Sequence, residues 1–457
     1  MDYAEAIAAL ESAVGFGVHP SLDGIRTLTG ALGDPQTAFA VVQVTGTNGK
    51  SSVTRLTEAL LAAEGMAVGA YTSPHLESYT ERIEIGGAPI AEVEFSRALA
   101  AALGAAERSG GREAFTEFEL LTAAALWEMR EREVDVACLE VGMGGRWDST
   151  SVVAPAVSVV TGVSLDHTDR LGTTVAEIAA DKAHVIKPGS SVVLGSRTLE
   201  VADVFLARAA LFGLHPRFVA EGGGSSPVDE GLTVRFQVRA RPSSPGGCLQ
   251  MDVRGVHGAY PGLVVTAPSY QAANVACAVA AVECALGRAL DLGVARDALA
   301  VMRFPGRFEL LRSVPPLVID GAHNPEAATV LAGAIAEAWP EPDARPVCVL
   351  GVLADKDAAG IASALAATVG GFVVTSPSTP RARTAADLAA IVRDAGGAVL
   401  ETVAGVAEAV RTACRVAGRR GVVVTGSLYT AGEARHAVRT PQGAKDAQGA
   451  GDDGRFC

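Results

Sequence analysis

A strand, a glycine-containing loop and a helix follow one another between residues 39 and 64, and this succession constrains the fold more than any other part of the chain. The apolar run at 39–44 predicts a buried strand, and the apolar spacing over 53–64 predicts a helix that ends before Gly65. The loop between them reads Thr-Gly-Thr-Asn-Gly-Lys-Ser-Ser. Backbone N–H groups of such a loop bind phosphate, the helix N-terminus adds partial positive charge, and Lys50 supplies a full one. The segment therefore predicts a nucleotide-binding loop.

The spacing of this loop departs from the standard P-loop. Val44 stands where the first glycine would be, and Gly46 comes two residues late. An ordinary glycine turn between a strand and a helix is the alternative interpretation. The Lys-Ser pair at 50–51 lies where a phosphate needs it, which favours the nucleotide, and a hydroxyl at this point can bind Mg²⁺.

Strand-like runs alternate with helical stretches over most of the chain. The expected strands are 39–44, 134–141, 156–161, 191–195, 317–320, 346–352, 371–375 and 421–425. The expected helices between them include 92–108, 116–131, 326–339 and 383–396. This alternation predicts an α/β fold with a parallel sheet and helices on both faces. One segment differs, because the alternating run at 232–238 is more typical of an antiparallel edge strand.

The length of 457 residues predicts more than one domain. A boundary is expected at Phe304-Pro-Gly-Arg307, where helices end and a fresh α/β alternation begins. We therefore expect an N-terminal domain at 1–304, a linker at 305–307 and a C-terminal domain at 308–440. The Gly-, Asp- and Gln-rich segment 441–457 is expected to be disordered.

The net charge of −13 argues against nucleic acid and anionic membrane surfaces as partners. The N-terminus lacks the positive region of a signal peptide, and no apolar run reaches membrane-spanning length. We expect a cytoplasmic protein whose partners are small molecules.

Further polar clusters follow directly after expected strands. Glu140 ends the run at 134–139, and Asp166 and His167 come after the strand at 156–161. In doubly wound sheets the carboxyl ends of the strands form the ligand crevice, so a carboxylate there is well placed to hold Mg²⁺. A buried ion pair or cap is the alternative role for Glu140, and a surface position is the alternative for His167.

Other clusters are less specific when taken alone. Ser73 and His75 follow a short strand and could be a metal ligand and a substrate contact, or only parts of a Ser-Pro turn. Lys182 lies on an expected helix and by itself reads as solvated. Asp320 and His323 follow a strand and open a helix, where anions or hydroxyls bind. The chain has no G-x-G-x-x-G fingerprint and no G-x-S-x-G elbow, which disfavours a nicotinamide enzyme and an elbow-type hydrolase.

The order of these motifs resembles folylpolyglutamate synthase/dihydrofolate synthase, a branch of the Mur ligase superfamily. The resemblance covers about residues 5–435. Its motifs are Gly46–Lys50, Thr72–Leu76, Glu140–Arg146, Leu165–Thr168, Asp181–Ala183, Pro305–Arg307, Asp320–Pro325, Ala354–Asp357 and Gly426–Tyr429. It implies an N-terminal P-loop-type parallel-sheet ATPase domain followed by a smaller Rossmann-like α/β domain that binds glutamate.

The resemblance also implies an ATP-dependent amide ligase, and it gives individual residues roles. The loop would bind the phosphates of ATP through Gly46, Thr47, Asn48, Gly49, Lys50, Ser51 and Ser52, and further ATP contacts would come from Asn274, Arg307, Asp320 and His323. Ser52 and Glu140 would hold one Mg²⁺, although the family usually has Gly where Ser51 stands, so which of the two hydroxyls binds metal stays open. Glu140, His167 and Ser73 would hold a second Mg²⁺, and Lys182 matches the lysine that the family carbamylates.

The implied reaction joins L-glutamate to a carboxylic acid through an acyl phosphate, with Lys50, Glu140, His167 and Lys182 as the catalytic group. Contacts to the substrates would come from His75, Lys356 and Ser427, and the protein would be a monomer. The acid would be a folate, dihydropteroate or both. Departures from the family pattern at 16–26 and 147–151 keep a second interpretation open, a paralogue that uses the same chemistry on another acid. A nucleotide-binding regulatory protein is the third, and Glu140, His167 and Lys182 argue against it.

Overall fold

The computed structural model of the chain describes residues 1–13, 20–222 and 232–439. The chain divides into two compact units. Unit 1 contains Met1–Gln237, Asp252–Leu263 and Ala272–Leu299, and unit 2 contains Val238–Met251, Val264–Gln271 and the chain from Ala300 onward.

The first nine α-helices follow one another along the part of the chain that forms unit 1. They are α1 (Tyr3–Glu11), α2 (Asp23–Ala31), α3 (Lys50–Ala63), α4 (Glu92–Arg108), α5 (Glu117–Glu131), α6 (Val175–Lys182), α7 (Ala202–Ala210), α8 (Gln271–Leu286) and α9 (Leu292–Ala300). Those that follow are α10 (Pro325–Ala338), α11 (Ala358–Ala366), α12 (Ala385–Asp394), α13 (Val406–Ala417) and α14 (Leu428–Arg439).

One sheet of the described chain has 11 strands, in the order β11-β10-β9-β8-β7-β6-β1-β5-β2-β3-β4. These strands are β1 (Ala40–Thr45), β2 (Val68–Tyr71), β3 (Ile83–Ile85), β4 (Ala88–Pro89), β5 (Val136–Glu140), β6 (Val157–Gly162), β7 (Ser191–Arg197), β8 (Arg217–Glu221), β9 (Thr233–Ala240), β10 (Cys248–Arg254) and β11 (Ala259–Thr266). β1 lies at the centre between β5 and β6 and runs parallel to both. The loops that follow these three strands therefore meet at one edge of the sheet.

The second sheet has six strands, in the order β12-β13-β17-β14-β15-β16. Its strands are β12 (Glu309–Ser313), β13 (Pro316–Ile319), β14 (Val347–Leu350), β15 (Phe372–Val374), β16 (Val399–Thr402) and β17 (Val422–Thr425). All pairs are parallel except β12 with β13. Apolar side chains from this sheet and from α10, α11 and α12 form the core of unit 2.

Burial explains why β1 reads as an apolar run. Its residues are buried after Ala40, and Val42 and Val44 are 1% and 0% exposed. A parallel strand covered on both faces has no solvent-facing side to fill with polar residues. Gln43 and Thr45 are also fully buried, and their partners are described with the site below.

The expected α/β alternation is confirmed at every strand and helix range that the sequence predicts, to within a few residues. The expected antiparallel edge strand at 232–238 is wrong, because β9 pairs with β8 in parallel and has β10 on its other side. Alternation reports which face of a strand is buried, and it carries no information about strand direction. The segment 441–457 and part of the region 16–26 lie outside the described residues. Within the described ranges, no helix is both long and apolar enough to cross a membrane.

Candidate active site

The phosphate loop after β1 takes a backbone conformation that two of its glycines permit. Gly46 has φ +151° and Gly49 has φ +87°, and a Cβ on Gly49 would come within 2.7 Å of Asn274 Oδ1. The Thr47 N–H donates to the Gly162 carbonyl at 2.9 Å, and Thr161 Oγ1 donates to the Asn48 carbonyl at 2.6 Å. Hydrogen bonds to the end of β6 therefore hold the loop open for a ligand at the start of α3.

Two lysine ammonium groups converge on the loop at Gly46. Lys50 Nζ donates to the carbonyls of Gly46 at 3.1 Å and Thr47 at 3.2 Å. Lys182 Nζ donates to the same Gly46 carbonyl at 3.0 Å. The positive charge of Lys50 beside a helix N-terminus attracts phosphate.

Lys182 ends α6 and is buried, with 3% of its surface exposed. This burial, together with the positive charge of Lys50, lowers the pKa of Lys182 from 10.5 to about 7. Near pH 7, Lys182 is therefore a neutral amine in a large fraction of the protein molecules, and a neutral amine is nucleophilic. The sequence alone favoured a solvated lysine here, because the pattern of α6 does not show what its last residue faces.

Glu140, at the end of β5, joins the loop to the segment after β2. Its side chain is 2% exposed, and its Oε1 accepts a hydrogen bond from Ser51 Oγ at 2.9 Å. Its Oε2 accepts one from the Ser73 N–H at 3.1 Å. Ser52 is buried at 4% exposure. The structure brings Ser51, Ser73 and Glu140 together.

Asp166 and His167 follow β6 in a tight turn. His167 has φ +50°, its N–H donates to Asp166 Oδ1 at 2.9 Å, and its carbonyl accepts from Arg170 and Leu171. No group of three or more His, Cys, Asp and Glu side chains with metal-binding geometry occurs in the parts of the chain that the structure describes. The carboxylate of Glu140 and the hydroxyl of Ser51 are oxygen ligands of the kind that Mg²⁺ takes, and Mg²⁺ keeps several waters and binds substrate phosphates rather than an all-protein cage.

The loop after β5 is closed by residues that the sequence reasoning did not single out. Asp148 is 8% exposed and accepts hydrogen bonds from the Met143 N–H at 3.0 Å and from Thr150 Oγ1 at 2.6 Å. Gln43 donates to Thr150 and Ser151, both at 3.1 Å, and Thr45 Oγ1 donates to the Gly144 carbonyl at 2.6 Å. The sequence contains one signal for this network. Gln43 and Thr45 are polar residues inside an otherwise apolar strand, and buried polar side chains need hydrogen-bond partners.

His75 lies in a cluster of rings and charges that holds it neutral. Its Nδ1 accepts a hydrogen bond from Arg82 Nε at 3.0 Å, and its ring centroid is 4.3 Å from that of Tyr79. Burial and the charge of Arg82 lower the pKa of His75 to about 3. With Nδ1 accepting, Nε2 carries the proton and is a hydrogen-bond donor.

The polar residues that open α10 in unit 2 are held by the backbone. Asp320 is 4% exposed and accepts from the N–H groups of Phe308 and Ala322, both at 2.8 Å. His323 Nδ1 lies 2.8 Å from the Gly321 carbonyl, and Asn324 Oδ1 caps the helix by accepting from the Ala327 N–H at 2.8 Å.

The two expected glutamate contacts lie after neighbouring strands of the second sheet. Lys356 follows β14 and is half-buried, and Ser427 follows β17 and is 1% exposed. Ser427 Oγ accepts from the Thr430 N–H at 3.0 Å, so the hydroxyl caps the first turn of α14. β14 pairs with β17, which brings the two loops to the same edge of the sheet.

A parallel-sheet unit with a phosphate loop, two converging lysines and a buried carboxylate, followed by a second parallel α/β unit, defines a Mur-type ATP-dependent ligase. The chain matches the Mur ligase middle domain over residues 44–197 and the Mur ligase glutamate ligase domain over residues 306–428. It belongs to the folylpolyglutamate synthase/dihydrofolate synthase family, as its relatives show. It is therefore an ATP-dependent acid–amino-acid ligase, as the sequence predicted.

One relative is a dihydrofolate synthase/folylpolyglutamate synthase of Mycobacterium tuberculosis, 36% identical over 457 residues, a match that covers 92% of this chain and 90% of the relative. A solved M. tuberculosis folylpolyglutamate synthase complexed with ADP is similar with a TM-score of 0.86 and 34% identity, over 96% of this chain and 99% of that one. A bifunctional folylpolyglutamate synthase/dihydrofolate synthase with Mn, AMPPNP and L-glutamate bound gives a TM-score of 0.79 at 30% identity, over 96% and 98%. These ligands support ATP and a divalent metal as the cofactors of the family.

Proposed function

We propose that this protein transfers L-glutamate to a folate, to dihydropteroate, or to both, through an acyl phosphate. The observation that carries the proposal is the meeting of Lys50 and Lys182 at the Gly46 carbonyl, on the loop that also brings Ser51 to Glu140. Relatives of this length and identity carry both names, and one solved relative holds L-glutamate.

The first step makes the acid reactive. A carboxylate oxygen of the acid attacks the γ-phosphorus of ATP, the bond to the β-γ bridging oxygen breaks, and ADP leaves. Negative charge spreads over the transferred phosphoryl oxygens, and Lys50 and the N–H groups of the loop are placed to stabilise it. In the second step the glutamate amine attacks the acyl carbon, phosphate leaves, and the amine loses a proton as the amide forms.

Mg²⁺ would supply Lewis-acid stabilisation of the same oxygens when bound. We assign one ion to Glu140 with a hydroxyl from the Ser51–Ser52 pair, and a second to Glu140, Ser73 and His167. The hydrogen bond from Ser51 to Glu140 favours Ser51 in the first role.

Lys182 is proposed to be carbamylated. Its pKa of about 7 keeps much of the amine neutral, and a neutral amine can add to CO₂ to give a carbamate and a proton. The product exchanges a cation for an anion beside the metal-binding residues. Family behaviour and the burial of this side chain support the assignment.

The remaining roles follow the family. Asn274, Arg307 and His323 are proposed ATP contacts, His75 a contact to the acid, and Lys356 and Ser427 contacts to glutamate. The domain limits 1–304, 305–307 and 308–440, a monomeric state and a cytoplasmic location remain parts of the proposal.

The test is ADP release by the purified protein with ATP, Mg²⁺ and L-glutamate. Dihydropteroate, tetrahydrofolate and no acceptor are compared, and products are identified by mass. Glutamate-dependent turnover with one pterin identifies that reaction. ATP binding without product from either pterin would reject the folate assignment and favour a paralogue acting on another acid, for which the sequence at 16–26 and 147–151 is the reason to look.

A further inference from the structure

The residues on either side of Arg307 are fastened to the end of β13 by two hydrogen bonds. The Gly321 N–H donates to the Gly306 carbonyl at 2.8 Å. The Phe308 N–H donates to Asp320 Oδ2, also at 2.8 Å. Because these bonds flank Arg307, they fix the peptide planes before and after it, and with them the direction in which its side chain leaves the backbone.

The carboxylate of Asp320 accepts hydrogen bonds from three donors of the protein. Oδ1 accepts from the Ala322 N–H at 2.8 Å, and Oδ2 accepts from the Tyr270 hydroxyl at 3.4 Å as well as from Phe308. Burial raises the pKa of Asp320, while the charge of Arg307 and these donors act in the opposite direction. A buried carboxylate of this kind is stabilised by its hydrogen bonds and is costly to leave without them.

These hydrogen bonds matter because the residues on both sides of Arg307 have left-handed backbone conformations. Gly306 has φ +63° and Phe308 has φ +51°. Left-handed backbone is unfavourable for a non-glycine residue, so Phe308 holds this conformation only where other contacts impose it. The bond from its N–H to Asp320 is one such contact.

Gly321 gives the guanidinium its space. A Cβ on Gly321 would come 2.4 Å from Arg307 Nη1 and 2.4 Å from Leu428 Cδ2. Gly321 is not among the residues with positive φ, so the requirement for glycine here is one of room rather than of backbone conformation. The Arg307 guanidinium therefore lies against the backbone of Gly321.

We propose that Asp320 and Gly321 are positioning residues that present the Arg307 guanidinium to ATP, and that Asp320 acts through Arg307 rather than as a separate nucleotide ligand. The inference rests on the proposed function, because it takes Arg307 as an ATP contact. It replaces the direct ATP contact that the resemblance implied for Asp320.

A double-mutant cycle on ATP affinity tests this role. The dissociation constant of Mg-ATP is measured by calorimetry for the wild type, Arg307→Gln, Asp320→Asn and the double variant. In Asp320→Asn, one of the two backbone N–H donors faces an NH₂ group, so the linker loses an attachment. Each single variant is expected to bind about tenfold more weakly, and the double variant about as weakly as Arg307→Gln alone. A double variant that is about a hundredfold weaker would show independent contacts and overturn the proposal.

Amide hydrogen exchange supplies a readout that does not depend on ATP. The Phe308 amide is expected to lose protection about tenfold or more in Asp320→Ala, which removes both acceptor oxygens, and to keep it in Arg307→Gln. Unchanged protection of Phe308 in Asp320→Ala contradicts the role of this hydrogen bond. Gly321→Ala is expected to weaken ATP binding as Arg307→Gln does, while Gly333→Ala, where a Cβ meets nothing within 4 Å, serves as the control in the neighbouring helix.

The two hypotheses fail in different ways. A wild type that binds ATP but forms no glutamate product rejects the proposed reaction and leaves the cycle intact. If the wild type is an active ligase but the losses of ATP affinity in the two single variants multiply in the double variant, only the positioning role is rejected.

Discussion

Among single residues, Lys182 has the surroundings with the most direct chemical consequence. Its ammonium is 3.0 Å from the Gly46 carbonyl, 3% of the residue is exposed, and its pKa is about 7. An ordinary surface lysine would be fully charged at this pH and unreactive toward CO₂. The burial that lowers the pKa is thus also what makes the proposed modification chemically accessible.

Lys182→Arg is expected to reduce turnover on the order of 100-fold or more, because arginine stays protonated and cannot be carbamylated. ATP affinity should change by only a few-fold, since Lys50 and the loop remain. Initial rates and calorimetric ATP binding check this. A variant with normal turnover would remove Lys182 from the mechanism.

The hydrogen bond from Ser51 to Glu140 makes Ser51 the first candidate for the hydroxyl ligand of the metal. Ser51→Ala is expected to raise the Mg²⁺ concentration for half-maximal rate several-fold, and Ser52→Ala to raise it less, because a hydroxyl next to the carboxylate is the nearer oxygen ligand. Mn²⁺ binding in the presence of ADP, followed by electron paramagnetic resonance, measures the same ranking without turnover. The reverse ranking would place the metal on Ser52.

At the scale of elements, the loop after β5 and helix α6 pack closely enough to set the position of Lys182. A Cβ on Gly145 would come within 2.9 Å of the Lys182 carbonyl and 3.0 Å of the Asp181 carbonyl. The Arg146 N–H donates to Asp181 Oδ1 at 3.3 Å, which holds the loop and the helix together. The loop therefore holds the backbone of Lys182 in position through close packing.

Gly145→Ala is expected to destabilise the protein by about 1–3 kcal/mol, since backbone atoms cannot yield as a flexible side chain can. It should also reduce turnover by shifting Lys182. Gly30→Ala is the matched control, because a Cβ there meets nothing within 4 Å and its helix α2 should gain a few tenths of a kcal/mol or more. Denaturant unfolding and initial rates are measured for both. Equal stability of the two variants would contradict the packing argument.

Helix α3 and strand β3 carry a pair of buried carboxyl groups, Glu58 and Glu84, at 2% and 3% exposure. Burial and the neighbouring Glu84 raise the pKa of Glu58 to about 8. Arg55 lies 2.7 Å from Glu84 and compensates only one of the two charges. The folded protein thus keeps a proton on Glu58 at neutral pH.

The folded-state pKa of Glu58 lies above its unfolded value of 4.5, so the stability it contributes is complete below pH 4.5 and is lost as the pH rises through about 8. Glu58→Gln imitates the protonated form. It should match the wild type near pH 5 and exceed it at pH 8.5, by on the order of 2 kcal/mol. Urea unfolding at the two pH values decides this. A variant that is less stable than the wild type at pH 8.5 would show that Glu58 is ionised in the fold.

At the scale of the whole molecule, the net charge of −13 coexists with a positive loop at the start of α3. A local positive charge at this loop is enough to attract a phosphate, so nucleotide binding and a negative net charge do not conflict.

Mg-ATP at 100 times its dissociation constant is expected to stabilise the folded protein by about 2.7 kcal/mol. Lys50→Met should lose most of this gain while unfolding at nearly the wild-type midpoint without nucleotide, because the hydrogen bonds from Lys50 to the Gly46 and Thr47 carbonyls stay within one loop. Thermal unfolding with and without Mg-ATP checks both statements. An equal gain in Lys50→Met would exclude this lysine from the phosphate site.

Most of the architecture could be predicted from the sequence because it depends on local patterns. Apolar runs such as 39–44 and helical spacing such as 92–108 reflect burial on a strand or a helix, and the Gly-Lys-Ser segment reports a backbone that few other residues allow. The order of motifs determined the family, and with it the residues assigned to the site. The direction of β9 was mispredicted, since periodicity is the same in parallel and antiparallel strands.

Only the tertiary structure decided which of these residues meet and in what chemical state. Glu140 is 89 positions from Ser51, and Lys182 is 136 from Gly46, yet each pair is within hydrogen-bond distance. Desolvation and partners from distant parts of the chain set the pKa of Lys182 and the tautomer of His75. They also set the hydrogen bonds that Asp320 makes beside the linker. Burial and these partners exist only once the chain is packed, and no local pattern of residues contains them.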